Sequence, residues 1–244
     1  MSLSRTNSSR SVAIMRIAVM IAWVAFLAAP AALVIGHLGA PNLNWCDNQV
    51  STYAAHAPHG NWVSAGMVLS AVSVCCIGVG ISLDTELRIN ILSQIASMCC
   101  GAAASGLLML CRFKETARTT ALLKGMELPA IRQQTFHDAG LLIFFSGVML
   151  ALITSGLIAM VRSASWRGRM LAAVVLVSGP AACAALVSSW QEYLGFSGTV
   201  PGLKQRAAFF CFWVGALSLM ALITKATLRS NIRQGGVNKE RFVR

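Results

Sequence analysis

Charged residues are scarce in this chain: Asp, Glu, Lys and Arg make up 11% of its 244 residues, and only 8 residues are acidic. Soluble domains carry roughly 25% charged residues, so this chain has too little charge to cover a water-facing surface. The hydrophobic residues, 56% of the total, are grouped in blocks. The composition therefore excludes an ordinary soluble domain and indicates an integral membrane protein.

Motifs of common enzyme classes are also absent. The sequence has no G-x-S-x-G, H-E-x-x-H, Walker A or C-x-x-C motif, each of which would indicate a particular chemistry. The net charge of +12 comes from basic residues that flank the apolar blocks and fill the tail. Aromatic residues that stack on bases do not alternate with them. We therefore predict no cofactor, no metal and no nucleic-acid partner.

Six apolar blocks remain, and each is long enough to cross a membrane. A spanning helix needs about 20 apolar residues, and the absence of water in the bilayer requires helical hydrogen bonding. The sequence predicts an all-α bundle of six transmembrane helices within a membrane domain at 12–224, between a disordered segment 1–11 and a basic tail 225–244. The blocks are 13–36, 62–83, 89–111, 138–161, 170–189 and 205–224.

The first block also has features of a signal peptide, since basic residues precede it and Ala28–Ala31 are mostly small. Its apolar run of about 20 residues exceeds the usual 7–15 of a signal peptide. Pro30 lies inside the candidate cleavage site. These points favour an uncleaved helix.

The distribution of basic residues sets the expected orientation. With the N-terminus inside, 13 of the 20 Lys and Arg residues lie on the cytoplasmic side, and the first outer loop, 37–61, has none. Cytoplasmic loops carry the excess of basic residues. We therefore expect both termini in the cytoplasm and a multi-pass protein of the inner membrane. The loop 112–137 departs from this pattern; it is either an amphipathic helix on the outer surface or an ordinary loop packed on the bundle.

The expected outer side collects the unusual polar residues. All four histidines lie there, with five carboxylates. Histidine, aspartate and arginine in one pocket would suit ligand binding or acid–base chemistry. Alternatively, these residues have structural roles only: Arg206 anchors its helix at the lipid headgroups, and Asp138 stabilises the first turn of its helix. The candidate ligand-binding residues are His56, His59, His137, Asp138 and Arg206, with Arg206 paired to Asp138 or Glu192.

Of the eight cysteines, six lie inside apolar blocks, where a free thiol packs as a small apolar side chain. Cys46 and Cys111 differ because both are expected on the outer side. An oxidising compartment permits a disulfide there, so we predict one between these two residues.

Several short segments resemble a known family. They are Gln49-Val-Ser-Thr-Tyr-Ala-Ala and Pro58-His-Gly-Asn-Trp62 in the first loop, His137-Asp-Ala-Gly at the fourth block, and Gly202-Leu-Lys-Gln-Arg206, continuing to Trp213, at the sixth. In this order they resemble the six-helix bacterial membrane proteins grouped as DUF998, and more distantly the Frag1/DRAM/Sfk1 membrane proteins. The resemblance implies the six-helix fold, and the eukaryotic relatives suggest lipid handling by analogy.

Two functions remain open at this point. The first is a non-catalytic accessory or lipid-associated protein whose outer loops contact lipid headgroups or another membrane protein. The alternative is a membrane-embedded enzyme or small transporter with an outer-facing His/Asp/Arg pocket. Few charges inside the blocks argue against a transporter.

Reporter fusions test the orientation. Because of the basic asymmetry, a cytoplasm-active reporter is expected to work at the C-terminus, and a periplasm-active reporter at residue 55. A periplasm-active reporter that works at the C-terminus would contradict this topology.

Overall fold

The computed structural model describes residues 3–38, 40, 43–83, 90–115, 128–190 and 200–242. These residues form seven helices and no strand. Six of the helices are long and apolar enough to cross a membrane, as the six apolar blocks predict. In chain order the helices are α1 (Leu3–His37), α2 (Val50–His56), α3 (Gly60–Leu83), α4 (Asn90–Arg112), α5 (Leu128–Arg162), α6 (Trp166–Trp190) and α7 (Pro201–Phe242).

Several helices extend beyond their apolar blocks. Helix α5 begins at Leu128, ten residues before the fourth block, and α7 continues to Phe242. Helix α1 begins at Leu3, before its apolar span at Ser11–His37. A helix satisfies its own backbone in water as well as in lipid, so the end of an apolar block need not end the helix. Of the segment 112–137, predicted to be either an amphipathic helix or an ordinary loop, residues 116–127 lie outside the described residues and 128–137 belong to α5.

The spanning helices pack in chain order, each against the next: α1 on α3, then α4, α5, α6 and α7. Helix α7 also contacts α1, α3 and α5, so the series closes into a bundle. The short helix α2 packs on α3 and contacts α1 and α7. We call the end of the bundle that carries α2 the cap end; it comprises residues 43–59, 113–115 and 200–206.

Helices α4 and α5 approach closely where glycines face each other. A Cβ on Gly106 would lie 2.5 Å from the backbone N of Phe144 and 2.6 Å from the carbonyl O of Gly140. Small residues at such crossings let two backbones come together in a membrane, where the hydrophobic effect does not drive helix association. This crossing therefore depends on the absence of a side chain at Gly106.

We expect Gly106→Ala to lower the stability of the detergent-solubilised protein by about 1–3 kcal/mol, because the added methyl overpacks the crossing. Gly101→Ala is the matched control on the same helix, since nothing lies within 4 Å of a Cβ there. Thermal unfolding, monitored by circular dichroism, measures the stability of both variants. Equal melting temperatures for the two variants would show that the crossing tolerates a side chain.

Candidate functional site

The cap end is organised by α2, a helix of seven residues whose first five, Val50–Ala54, are buried. Ser51 and Thr52 are among them, with exposed fractions of 4% and 2%. Burying a polar side chain is costly unless it is hydrogen-bonded. The stability of α2 therefore depends on partners supplied by other segments.

Those partners come from three parts of the chain. Gln205 of α7 accepts a hydrogen bond from the backbone N of Val50 through Oε1 at 2.6 Å, and so caps α2 from outside. The hydroxyls of Ser51 and Thr52 donate to Oε2 of the buried Glu115 at 3.1 Å and 2.8 Å. Gln49, just before α2, donates from Nε2 to Ser189 Oγ of α6 at 3.4 Å. These bonds fix α2 to distant parts of the chain.

Arg206, in the second turn of α7, fixes the loop before α2, residues 43–49. Its Nη1 donates to the carbonyl oxygens of Trp45, Asn48 and Gly202. Its guanidinium carbon also lies 5.4 Å from the ring centroids of both Trp45 and Tyr53. A cation over an aromatic face is attracted by the ring quadrupole. The guanidinium thus binds the loop through the Trp45 and Asn48 carbonyls and the Trp45 ring, and contacts α2 through the Tyr53 ring.

His37, at the end of α1, completes the contacts of Arg206. Its Nδ1 bonds to the Leu33 carbonyl oxygen, which can only accept, so Nδ1 carries the proton. Arg206 Nη2 can only donate, and it lies 2.8 Å from Nε2, which must therefore be the acceptor. The two bonds together require the neutral Nδ1–H tautomer of His37. Arg206 consequently connects α1, the loop and α7.

Tyr53 packs against both His37 and Arg206. Its ring lies 4.1 Å from the His37 ring, centroid to centroid, and its hydroxyl donates to the Leu43 carbonyl at 2.9 Å. Burial raises the pKa of Tyr53, although the positive charge of Arg206 acts in the opposite direction. The phenol therefore keeps the proton with which it holds the loop.

Gly202 allows α7 to approach the loop so closely. A Cβ on this residue would lie 2.4 Å from the Asn48 carbonyl oxygen and 2.7 Å from that of Trp45. The same turn of α7 donates from the backbone N of Leu203 to the Cys46 carbonyl at 2.9 Å. Glycine is required here because two carbonyls occupy the space that a side chain would need.

A groove of about 640 Å³ lies below these polar contacts, between α1 and α7. This volume is within the usual range for ligand sites, about 300–1,000 Å³. Five lining residues are exposed: Asn44 and Trp45 at the polar end, and Val34, Leu38 and Phe210 on α1 and α7 or next to them. The groove therefore opens sideways from the bundle. The lining comprises Pro30, Leu33, Val34, His37, Leu38, Leu43, Asn44, Trp45, Val50, Tyr53, Arg206, Phe209, Phe210 and Trp213.

The structure separates the expected ligand-binding residues. His137 is buried and bonds through Nδ1 to the Phe113 carbonyl at 2.8 Å. Asp138 is exposed and accepts from Gln134 Nε2 at 2.9 Å. The expected pair between Asp138 and Arg206 is not formed, because each has other partners. Glu192, the other expected partner of Arg206, lies outside the described residues.

The remaining sequence predictions concern loop residues. His56 and His59 are exposed to the surroundings and do not line the groove. The predicted disulfide is not formed: Cys46 and Cys111 are both free thiols. Cys111 Sγ donates to the Ser64 carbonyl on α3 at 3.5 Å, whereas the loop at Cys46 is bonded to α7. Different neighbours hold the two thiols.

Residues that sequence reasoning left out of the site are His37, Tyr53, Gln205 and Glu115. Gln205 and Glu115 are polar residues at the edges of apolar blocks, where exposure to water is the ordinary expectation. One signal was present, since α2 combines Ser51, Thr52 and Tyr53 in a loop without Lys or Arg. A buried loop would explain that composition.

We expect Thr52→Val to destabilise the protein by about 1–3 kcal/mol, because it removes a hydroxyl donor from the buried Glu115 carboxylate while keeping the side-chain shape. Thr135→Val is the control, since Thr135 is exposed and its hydroxyl bonds within its own helix, to Ile131. Thermal unfolding compares the two variants. An unchanged melting temperature for Thr52→Val would show that the carboxylate does not depend on this bond.

Comparisons with known proteins place the chain in a family. No curated protein and no solved structure matches it. The more distant resemblance to the Frag1/DRAM/Sfk1 proteins stays an expectation from the sequence. The family described as "Protein of unknown function (DUF998)" matches residues 18–222, a stretch that includes most of the six spanning segments. The chain therefore belongs to the DUF998 family.

Proposed function

We propose that this protein is a non-catalytic, lipid-associated membrane protein that holds one lipid molecule in the groove between α1 and α7. The observation that carries the proposal is the groove itself: a sideways opening, an apolar lining, and a polar end built by Arg206 and His37. A lipid has the same arrangement, with an apolar chain and a polar headgroup.

The position of the groove supports a ligand from the bilayer. Val34, one of its lining residues, lies within the span Ser11–His37, and Phe210 lies within the span Pro201–Leu228. Both are exposed, so in a bilayer they would face the lipid chains. An acyl chain would enter between α1 and α7 without crossing a polar surface.

The orientation is part of the proposal. The excess of basic residues on the side of the termini supports a cytoplasmic location for them. The cap end would then face the outside of the inner membrane, and the groove would take a lipid from the outer leaflet. The bound lipid, or the cap over it, would be what a partner membrane protein contacts.

The alternative function, an enzyme or transporter with an outer-facing pocket, has less support. It requires His56, His59, His137, Asp138 and Arg206 to share a pocket. Of these five residues, Arg206 lines the groove and the other four do not.

Filling the groove tests the proposal. Val34→Trp places a large side chain in the groove, whereas Val24→Trp places the same side chain on the same helix at a residue that is exposed but does not line it. Native mass spectrometry of the purified protein measures the lipid retained. We expect one retained lipid on the wild-type protein and on Val24→Trp, and a loss of at least several-fold on Val34→Trp.

Circular dichroism first establishes that both variants are folded. Equal lipid retention by folded Val34→Trp and Val24→Trp would contradict binding in the groove.

A further inference from the structure

We infer that the lipid held in the groove is a phospholipid with net negative charge, whose phosphate binds the guanidinium of Arg206. This inference rests on the proposed function and adds the chemical class of the headgroup. It follows from the charges at the polar end of the groove, from the hydrogen-bond donors that Arg206 keeps available, and from the groups that surround it.

Arg206 is the one Lys, Arg, Asp or Glu side chain among the described residues that line the groove. No carboxylate in the described part of the chain forms an ion pair with it, and its polar partners are three backbone carbonyls and the neutral ring of His37. Carbonyl dipoles offset part of a charge but leave its sign unchanged. A cation at the edge of the hydrocarbon is costly without a counter-charge, and an anion in the groove would supply it.

The guanidinium also retains donors for such an anion. It has five N–H groups, and its contacts with described residues are made by Nη1 and Nη2. The Nε–H and the second hydrogen of Nη2 are not used in these contacts. Arginine and phosphate form charge-assisted, frequently bidentate hydrogen bonds, so these two hydrogens suit two phosphate oxygens.

His37 acts as a positioning residue for this contact. Its Nδ1–H is held by the Leu33 carbonyl, and its Nε2 accepts from Arg206 Nη2 at 2.8 Å. The Trp45 and Tyr53 rings lie 5.4 Å from the guanidinium carbon and attract its charge. The planar group is therefore fixed before a ligand arrives, which reduces the ordering cost of binding.

The same surroundings disfavour a zwitterionic headgroup. A carboxylate would pair with an ammonium, but none of the described residues that line the groove is Asp or Glu. The Trp45 and Tyr53 rings already attract the Arg206 cation, whose positive charge repels an ammonium placed against them. The nearest acidic residue on the loop, Asp47, is exposed and accepts from Asn44 Nδ2 at 2.7 Å. A headgroup that brings only negative charge fits the site better than one that also brings a positive charge.

The test uses full-length protein in nanodiscs of mixed phosphatidylglycerol and phosphatidylcholine with identical acyl chains. Native mass spectrometry after release into detergent measures which lipid stays bound. We expect phosphatidylglycerol to be retained about tenfold over its share of the bilayer, equivalent to about 1.4 kcal/mol. Arg206→Gln should abolish the preference, and Arg206→Lys should keep part of it because the charge remains.

Lys204→Gln is the matched control. It removes the same charge two residues earlier in α7, but Lys204 does not line the groove and its Nζ donates to the Ser188 carbonyl of α6. This variant should bind phosphatidylglycerol as the wild type does. An equal loss of preference in Lys204→Gln and Arg206→Gln would overturn the inference, since it would show a general surface charge effect.

Arg206→Gln also removes bonds to the loop, so folding is checked first by thermal unfolding. If that variant does not fold, the wild-type preference and its partial retention in Arg206→Lys decide the question. Equal retention of the two lipids by the wild type overturns the inference on headgroup charge. If Val34→Trp then still releases both lipids, the lipid groove of the proposed function stands; if it releases neither, the proposed function fails as well.

Discussion

The guanidinium of Arg206 is the contact on which the cap end depends. It is bonded to the carbonyls of Trp45 and Asn48 in the loop, to Gly202 in its own helix and to His37 at the end of α1. Without it, the loop would present unpaired carbonyls to α7 at an approach that only glycine permits. Because the same guanidinium also lies at the polar end of the groove, one residue both holds the cap together and sets the charge of the groove.

Burial explains why the polar groups of the cap bond to distant parts of the chain. A polar side chain away from water must find a partner or lose several kcal/mol. Glu115 is 4% exposed and receives two hydroxyls from α2, while Gln205 is 1% exposed and caps the backbone of the same helix. Since each bond joins segments far apart in sequence, the position of α2 depends on the packing of the whole bundle.

The spanning helices were predictable because their cause is local. A run of about 20 apolar residues must be a helix in a bilayer, and the six blocks have that length irrespective of their neighbours. The ends of helices were less predictable: α5 continues through Gln133, Gln134 and His137, since a polar residue does not stop a helix that has left the hydrocarbon. Helix α2 escaped prediction because seven residues are too few for a periodic pattern.

The candidate site was predicted in part. Arg206 was identified from the cost of a charge near the hydrocarbon, and the structure places its side chain at the groove between α1 and α7. Its partners were not identified, since opposite charge suggested Asp138, whereas carbonyls, two aromatic rings and His37 hold the guanidinium instead. Every residue has a backbone carbonyl, so the sequence does not mark which carbonyls will bind a side chain. Only the folded structure shows them.

The central claim is that the groove between α1 and α7 is a lipid site whose polar end is Arg206. The most direct measurement is an electron cryo-microscopy map of the full-length protein in nanodiscs that contain phosphatidylglycerol. The account predicts elongated density along Val34 and Phe210 that ends in a phosphate within hydrogen-bond distance of the Arg206 guanidinium. A map in which α1 closes on α7, or in which the ordered groove holds no lipid density, would contradict it.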